Sequence, residues 1–458
     1  MTELPNDIET LKALVKELLE KIKRLEAENA ELRRRLGLDS TNSHKPPSSE
    51  GYQKKPLKPG IPKPGKHCTG GQKGHRGKTL KRVEHPDQIQ VHRPAYCQCC
   101  GRQFSANETY EIVQSRQVFD LPVSKLEVTE HRLAQIECCR IVQHGEYPKT
   151  VTATVQYGAG VRALVTKLSV EHKMPLKQIS QLFEDLYGYE LNSTTIEETL
   201  QRGYRLAEPL EHQIRTRMHA QELMHADETG VRVAGTLHWL HTATSANYTH
   251  LFIHKQRGIE ALKSEASVLK AFKGTVVHDC WSPYFHFDAA RHVLCGAHLL
   301  RELNNLMEQG TLWAGELHEF LLDLYRMPHS IATAAEEVQK HYHLILSQAE
   351  REEPPPQPGK RGKPKQSTGR NLLNRLKKHQ DGVLAFALDP KVPFTNNQAE
   401  RDLRPAKVKQ KVSGCFRTLT GAEVYARLQA MISTFRKQEL NVFIGLRDLF
   451  LMRPIMLV

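Results

Sequence analysis

Long hydrophobic runs are absent from this chain of 458 residues. No apolar stretch approaches the roughly 18 residues that a membrane-spanning helix requires, and the N-terminus lacks the pattern of a secretory signal peptide. We therefore expect a cytoplasmic protein without a membrane partner. A chain of this length is expected to form several domains with a sizeable core.

Acidic residues are missing from segment 51–82, which contains ten Lys or Arg residues. The segment belongs to residues 38–90, which we interpret as a basic linker rich in Pro and Gly, because this composition cannot bury a hydrophobic core. Two roles remain open for it: an arm that follows DNA phosphates with salt-dependent affinity, or a solubilising tether. The net charge of +14 favours a polyanionic partner.

A heptad pattern precedes the linker, so we interpret residues 1–37 as a coiled-coil dimerisation helix. β-Branched residues fill most a positions and Leu fills the d positions, which favours a parallel dimer or a higher homo-oligomer. Asn29 at an a position is expected to fix the register by pairing with its own copy. The alternative is a helix packed on its own domain. The a and d residues are Ile8, Leu11, Val15, Leu18, Ile22, Leu25, Asn29, Leu32 and Leu36.

Cysteines cluster in residues 91–150, which we interpret as a small β-rich, zinc-ribbon-like module with strands at 112–119 and 125–133. In a cytoplasmic protein such clustering indicates a metal site rather than disulfides. A structural zinc site needs four ligands. His144 could supply the fourth ligand, and Cys99 could be used in place of Cys100; the alternative is a degraded knuckle held by apolar packing alone. The candidate ligands are Cys97, Cys100, Cys138, Cys139 and His144.

Two helices are predicted within residues 151–215, one at 176–187 and a second that ends near residue 204. Gly188 breaks the first, and Asn192 and Ser193 supply a cap for the second. This arrangement is compatible with a helix-turn-helix that reads DNA and also with a plain helical hairpin. The outward residues expected to contact DNA are Thr195, Gln201 and Arg202.

Three acidic residues occupy comparable places in a predicted mixed sheet. Asp227 lies within a strand at 222–233, which is followed by strands at 237–240 and 249–254 and a helix at 258–272. A strand at 274–278 then ends at Asp279, and Glu400 lies near the start of a later helix. This order predicts a ribonuclease-H-like core in residues 216–310 and 380–458, with a helical insertion carrying a basic loop at 311–379. The fold class is therefore multidomain α+β.

Carboxylates in this arrangement suit metal-assisted phosphodiester chemistry. Two divalent ions roughly 3.5–4 Å apart can activate the attacking oxygen and stabilise the leaving oxygen. Magnesium prefers oxygen ligands and retains several waters, so two or three acidic side chains suffice to hold it. The alternative is that these are ordinary surface acids, since the chain has 51 Asp and Glu residues.

Four motifs give the chain its resemblance to a known family: Asp227-Glu-Thr-Gly, Asp279 with Tyr284, Cys295-Gly-Ala-His298, and Asn396-Asn-Gln-Ala-Glu-Arg-Asp-Leu-Arg-Pro405. On these residues the chain resembles the insertion sequence 66 family of bacterial DDE transposases, almost from end to end. Two positions depart from the family pattern. Thr395 stands where Asp is frequent, and Ile141 stands where a second Cys-x-x-Cys would be completed.

The resemblance implies that Asp227, Asp279 and Glu400 are the catalytic triad and hold magnesium or manganese. His298 is expected near the scissile phosphate, with a core histidine as the alternative. Replacing Glu228 or Asp402 is expected to cost far less activity than replacing Glu400. The neighbours of Glu400 that are expected to bind DNA, or to cap the helix and form a solvated basic face, are Asn396, Asn397, Arg401, Arg404 and Lys407.

The function implied is a DNA transposase that cuts at the terminal inverted repeats of an insertion sequence and joins the ends to target DNA. Two alternatives are a catalytically silent dimeric DNA-binding protein and a structure-specific nuclease of the same fold. Family members commonly act with small accessory transposition proteins, and the expected location is the bacterial cytoplasm, associated with the nucleoid.

Overall fold

A computed structural model describes residues 7–37, 80–107, 109–121, 125–327, 335–356 and 366–457. Most of the predicted basic linker, up to residue 79, lies outside the described residues, as does part of the predicted basic loop near residue 360. In the described part of the chain, no helix combines the length and apolar character that a membrane span needs.

The predicted N-terminal helix is confirmed as α1, Ile8–Gly37. Its heptad residues with described side chains are about half exposed: Val15, Leu18, Ile22 and Leu25 at 49 % and Leu32 at 51 %. A single chain thus leaves this apolar stripe in contact with water. Its pairing with a second chain stays a prediction.

The strands predicted at 112–119 and 125–133 are wrong, because these described segments have no strand partner. Instead of a backbone ladder, the side-chain amide of Gln117 accepts from the N–H of Val83 at 2.9 Å and donates to its carbonyl at 2.8 Å. A hairpin forms later, between β1, Gln135–Cys138, and β2, Ile141–His144.

Four helices follow: α2, Ala159–Thr166; α3, Leu176–Tyr187; α4, Ser193–Leu206; and α5, Glu208–His219. A π-helical segment, Lys167–Glu171, extends α2. The predicted boundaries between α3 and α4 are confirmed. Gly188 ends α3 in a left-handed conformation, and the Asn192 side chain accepts from the N–H of Thr194 at 2.9 Å.

Five strands form one mixed sheet in the order β5-β4-β3-β6-β7. β3–β4 and β4–β5 are antiparallel, whereas β3–β6 and β6–β7 are parallel, so the predicted mixed sheet is confirmed. β6 pairs with β3 only at residues 223–225, and beyond them this edge of β3 is bonded by side chains of α12 and by the backbone of Phe416. The strands are β3, Leu223–Val233; β4, Thr236–Thr244; β5, Thr249–His254; β6, Thr275–His278; and β7, Arg291–Leu294.

The single helix predicted at 258–272 is wrong. The chain forms a short helix, α6, Ile259–Lys263, and a separate 3-10 turn, Leu269–Ala271. Two serines between them bond to the local backbone: the Ser264 hydroxyl donates to the Ala261 carbonyl at 2.7 Å, and the Ser267 hydroxyl accepts from the Leu269 N–H at 3.2 Å. Such bonds compete with helix continuation.

The remaining helices cover the sheet and form the predicted helical insertion. Val276 and Val277, adjacent on β6, belong to two different buried clusters, because successive side chains of a strand point to opposite faces. One cluster contains α12–α14 and the other α7–α11. The helices are α7, Gly296–Met307; α8, Leu312–Arg326; α9, Ala335–Glu352; α10, Thr368–Lys378; α11, Gln380–Leu388; α12, Asn397–Ser413; α13, Leu419–Lys437; and α14, Val442–Phe450.

Candidate active site

Three carboxylates come from separate parts of the chain, and two of them, Asp279 and Glu400, act electrostatically on the third, Asp227. Asp227 lies in the middle of β3, Asp279 directly follows β6, and Glu400 lies in the first turn of α12. Burial raises the pKa of Asp227 well above its ordinary value, and the nearby charges of Glu228, Asp279 and Glu400 raise it further. The surroundings of Asp227 on β3 are therefore rich in acidic groups.

Backbone amides orient the two strand acids. The N–H of Glu228 donates to Asp227 at 2.8 Å, and the N–H of Trp281 donates to Asp279 at 3.0 Å. Between Asp279 and Trp281, Cys280 has a positive φ of 72°, which turns the chain sharply after β6. The N–H of Cys280 donates to the His278 ring at 3.2 Å, which supports this unusual backbone conformation.

Glu228 is part of a buried network rather than a peripheral acid. Its side chain is fully buried, and its carboxylate accepts from the Arg257 Nε at 2.7 Å and from the Tyr284 hydroxyl at 2.6 Å. Burial raises its pKa, Asp279 adds to the rise, and Tyr284 and Arg257 oppose it. Sequence reasoning missed this network. Glu228 is therefore unsuitable as a neutral control for the catalytic acids.

The structure corrects the expectation that Asn396 contacts DNA, because Asn396 has no exposed surface. Its amide donates to the Ala226 carbonyl at 2.8 Å and its amide oxygen lies 2.9 Å from Nδ1 of His225. Both partners lie on β3 immediately before Asp227. Asn396 thus fixes the start of α12, and with it Glu400, against the strand that carries Asp227.

The start of α7 is packed closely against the residues that lead into α12. The N–H of Gly296 donates to the Phe394 carbonyl at 2.8 Å, and the Asn396 N–H donates to the sulfur of Cys295 at 3.1 Å. A Cβ at position 296 would lie 2.1 Å from the Phe394 ring, so the position requires glycine. The Cys295-Gly-Ala-His298 motif therefore has a structural basis.

His298 and Glu400 are connected through Arg301, which sequence reasoning missed. Nη1 of Arg301 lies 3.4 Å from Nε2 of His298, and Nη2 of Arg301 lies 3.9 Å from Glu400. His298 is half-buried on the first turn of α7. The imidazole and the guanidinium thus lie beside the acids, where they could contact a phosphate group.

One face of α12 is exposed and basic. Asn397, Arg401 and Arg404 are all exposed, at spacings that place them on one side of the helix. Lys407 differs from them: it is half-buried, its ammonium donates to the Gly230 carbonyl at 3.0 Å, and it lies close enough to Asp227 for the two charges to attract.

The predicted DNA-reading residues of α4 do not share one outward face. Gln201 is exposed, whereas Thr195 and Arg202 are half-buried. The exposed face also contains Glu197 and Glu198, whose carboxylates would repel DNA phosphates. Contact of Thr195, Gln201 and Arg202 with DNA stays a prediction.

The cysteine region shows a tight turn at its first pair. The N–H of Gly101 donates to the Cys97 carbonyl at 2.9 Å, and backbone N–H groups of Cys100 and Cys99 lower the pKa of the Cys97 thiol. Cys139 is exposed in the β1–β2 turn and His144 ends β2, while the Cys138 side chain lies outside what the structure describes.

Among the described residues, no three His, Cys, Asp or Glu side chains are already arranged to hold a metal ion. This applies both to the predicted zinc ligands and to the acidic cluster. The donor chemistry of the acidic cluster nevertheless fits a hard divalent cation, because its carboxylate oxygens are such an ion's preferred ligands. Burial first, and then the neighbouring acids, raise the pKa of Asp227, and a bound cation would favour its charged form.

Two family models match the sequence. The model of a family described as "Transposase IS66 family" matches residues 154–424, which include all three acids. A second model, of a family of unknown function, matches residues 2–81. A search of curated proteins found no match.

Proposed function

The chain belongs to the IS66 family of transposases, and from this we propose that it is the DNA transposase of an insertion sequence. It would hydrolyse DNA at the terminal inverted repeats of the element and then join the freed 3′ hydroxyl to target DNA. The observation that carries this proposal is the placement of three acids from separate parts of the chain: Asp227 on β3, Asp279 after the neighbouring β6, and Glu400 on α12, whose start Asn396 bonds to β3.

The strand order and the positions of these acids support a ribonuclease-H-like catalytic core. Asp227 and Asp279 come from neighbouring strands of the sheet, and Glu400 comes from α12, which contacts the same edge of β3. Magnesium or manganese held by these carboxylates would supply Lewis-acid chemistry, polarising the phosphodiester and activating the attacking oxygen. The chain's own task is to hold the carboxylates at fixed positions.

Cationic groups around the acids would bind the DNA strand. Arg301 lies beside Glu400, and Arg401 and Arg404 present two further guanidinium groups on the outer face of α12. These side chains can contact phosphates without reading base sequence. His298, joined to Arg301, would lie near the scissile phosphate.

The remaining parts of the proposal concern assembly and location. α1 would join two chains, the cysteine region would hold structural zinc, and the linker and the helices of residues 151–215 would contribute to binding terminal DNA. Accessory transposition proteins would act with the complex in the bacterial cytoplasm, at the nucleoid. The proposed divisions of the chain remain 1–37, 38–90, 91–150, 151–215, 216–310, 311–379 and 380–458.

A cleavage assay tests the proposal. Supercoiled plasmid carrying both ends of the element is incubated with the full chain and Mg²⁺ or Mn²⁺. We expect the wild type to cut and join these ends, and Asp227→Asn and Asp279→Asn to bind them without cutting. Glu260→Gln, an exposed acid on α6, is the matched control.

Other outcomes of the assay would contradict the proposal in distinct ways. Binding without cleavage by the wild type would identify a catalytically silent DNA-binding protein. Cleavage without joining would identify a nuclease. Full activity of Asp227→Asn would show that the acids have been chosen wrongly.

A further inference from the structure

Two of the three tryptophans in the chain lie beside one arginine at the edge of the acidic cluster. The Arg257 guanidinium carbon lies 4.9 Å from the ring centroid of Trp239 and 4.3 Å from that of Trp281. Both indoles are half-buried, and 41 % of the Arg257 side chain is exposed. The third tryptophan, Trp313, is completely buried in a helical core.

These three flat groups are held in place by the residues next to the acids. Glu228, which follows Asp227, binds Arg257 through Nε and Nη2, each at 2.7 Å. Trp281, two residues after Asp279, donates its backbone N–H to that carboxylate. The positions of the indoles and the guanidinium are thus coupled to the two strand acids.

The indole of Trp239 lies across from a residue of β3 without a side chain. This cross-strand partner is Gly230, over which the Leu237 side chain also packs. Two contacts join the group to the strand acids: Trp281 bonds to Asp279 through its N–H, and Glu228 binds Arg257. A substrate at Asp227 and Asp279 would therefore meet a flat aromatic and cationic surface.

We propose that Trp239, Arg257 and Trp281 form a stacking site for an unpaired nucleobase next to the phosphodiester that is processed. Indole and guanidinium planes stack on any base, because every base has a π face. Glu228 already neutralises much of the charge of Arg257 and fixes its orientation. The Arg257 guanidinium is therefore better suited to stacking on a base than to binding a phosphate. The site would hold one base out of the duplex stack and so expose the adjoining phosphodiester to the acids.

This inference rests on the proposed function only in taking DNA as the substrate, and binding measured without divalent metal tests it. The probes are a blunt 20-base-pair duplex and the same duplex with a three-nucleotide single-stranded 3′ extension. With the full chain, we expect tighter binding of the extended duplex and quenching of tryptophan emission, which Trp313 is too buried to report. Stacking of one base predicts that Trp281→Ala weakens binding of the extended duplex by about 5- to 150-fold.

Matched variants separate stacking from folding. Trp281→Phe and Trp239→Phe, which retain a flat ring, should keep most of the preference for the extended duplex, and Trp281→Ala should bind the blunt duplex as the wild type does. Leu344→Ala, which removes an exposed apolar side chain on α9, should change neither affinity. If an alanine variant unfolds, the test of the stacking site relies on the phenylalanine variants and on the quenching of wild-type tryptophan emission.

Equal affinity of the wild type for both duplexes, without quenching, would overturn the stacking site while leaving DNA binding intact. An undiminished preference for the extended duplex in both Trp281→Ala and Trp239→Ala would overturn it as well. Failure to bind either duplex would instead overturn the proposed function together with this inference.

Discussion

Asp402 and Lys437 form an ion pair of 2.7 Å, with their side chains 8 % and 10 % exposed. Hydroxyl groups of Thr244 and Thr249 donate to the same carboxylate oxygen at 2.5 and 3.2 Å. The pair thus joins α12, α13 and two strands of the sheet. Asp402 lies only two residues after Glu400, so this buried network fixes the helix that presents the third acid.

Removing one member of the pair should be strongly destabilising. We expect Asp402→Asn to lower the free energy of unfolding by about 3–5 kcal/mol, because it leaves the Lys437 charge buried without its counterion. The double variant Asp402→Leu, Lys437→Met should recover most of that stability. Denaturant unfolding measures both, and a neutral Asp402→Asn variant would refute the argument.

Because of the same pair, we expect the free energy of unfolding to fall at low pH. Burial acts to raise the pKa of Asp402, but the Lys437 charge and hydrogen bonds from Lys437, Thr244 and Gln398 outweigh it and lower the pKa below 3.8. A carboxylate with a lowered pKa stabilises the fold fully above its unfolded pKa. This contribution should disappear as the pH falls through the folded pKa. Burial lowers the pKa of Lys437 despite the pair, so the prediction rests on Asp402 alone. Unfolding curves from pH 6 to pH 2 should differ less between the Asp402→Asn variant and the wild type as the pH falls.

Adjacent asparagines on α12 should behave differently. Asn396→Ala removes buried hydrogen bonds to β3 and should cost about 1–3 kcal/mol for each polar group left unsatisfied, with a loss of cleavage. Asn397→Ala, at an exposed position, should leave stability unchanged. Thermal unfolding and cleavage rates measure the difference. Equal effects of the two substitutions would contradict the positioning role of Asn396.

Arg401 and Arg404, unlike Asn396, are expected to contribute to DNA affinity through contacts with phosphates. Replacing both with Ala should reduce the slope of log affinity against log salt by about 0.9 for each phosphate that is no longer neutralised, whereas Asn396→Ala should leave that slope unchanged.

Glu400→Gln should abolish most of the cleavage and strand transfer, by about 100-fold or more, because charge stabilisation supplies a large part of catalysis. DNA binding should persist. Glu260→Gln is the matched control, since Glu228 and Asp402 are both buried in hydrogen-bonded networks. A Glu400→Gln protein that nicks DNA at nearly the wild-type rate would show that another acid completes the site.

α1 should form a parallel dimer that covers its apolar stripe. Asn29→Val should raise the helix stability and broaden the distribution of oligomers, because the buried polar pair no longer specifies two strands. Sedimentation and thermal unfolding of a peptide of residues 1–40 measure these effects. A peptide that stays monomeric at high micromolar concentration would contradict the prediction.

The cysteine region should bind one zinc ion per chain. Metal analysis of the purified protein tests this, and Cys97→Ser should lower both the zinc content and the affinity for terminal DNA, since structural zinc stabilises the fold that holds it. Zinc-free protein, combined with unchanged DNA binding of Cys97→Ser, would exclude the site.

The sheet could be predicted because its strands have strong local patterns and its acids stand at strand ends or near a helix start. The β1–β2 hairpin could not. Its two turn residues, Cys139 and Arg140, both have positive φ, at 55° and 64°, a conformation for which Asn and Gly are the usual signals. The hydrogen bonds of Ser264 and Ser267 also leave no trace in the spacing of apolar residues. The helical spacing therefore predicted one continuous helix across these serines.

The roles of Asn396 and Arg301 could not be predicted from the sequence for another reason. Asn396 is a helix-capping residue type at a helix start, and local chemistry alone favoured capping or DNA contact. Its partners, His225 and Ala226, lie about 170 residues away in the chain. Only the tertiary fold brings them together, and the same holds for Arg301 and Glu400.

The close approach of Gly296 to Phe394 means that the chain leaves the acidic cluster and returns to it at one place. The Asn396–Cys295 hydrogen bond closes the same junction. Everything between α7 and Phe394 is thus an excursion with fixed ends, although its helices also pack on one face of the sheet. This junction therefore holds the segment after Asp279 and the segment before Glu400 together, whatever the length of the loops between the inserted helices.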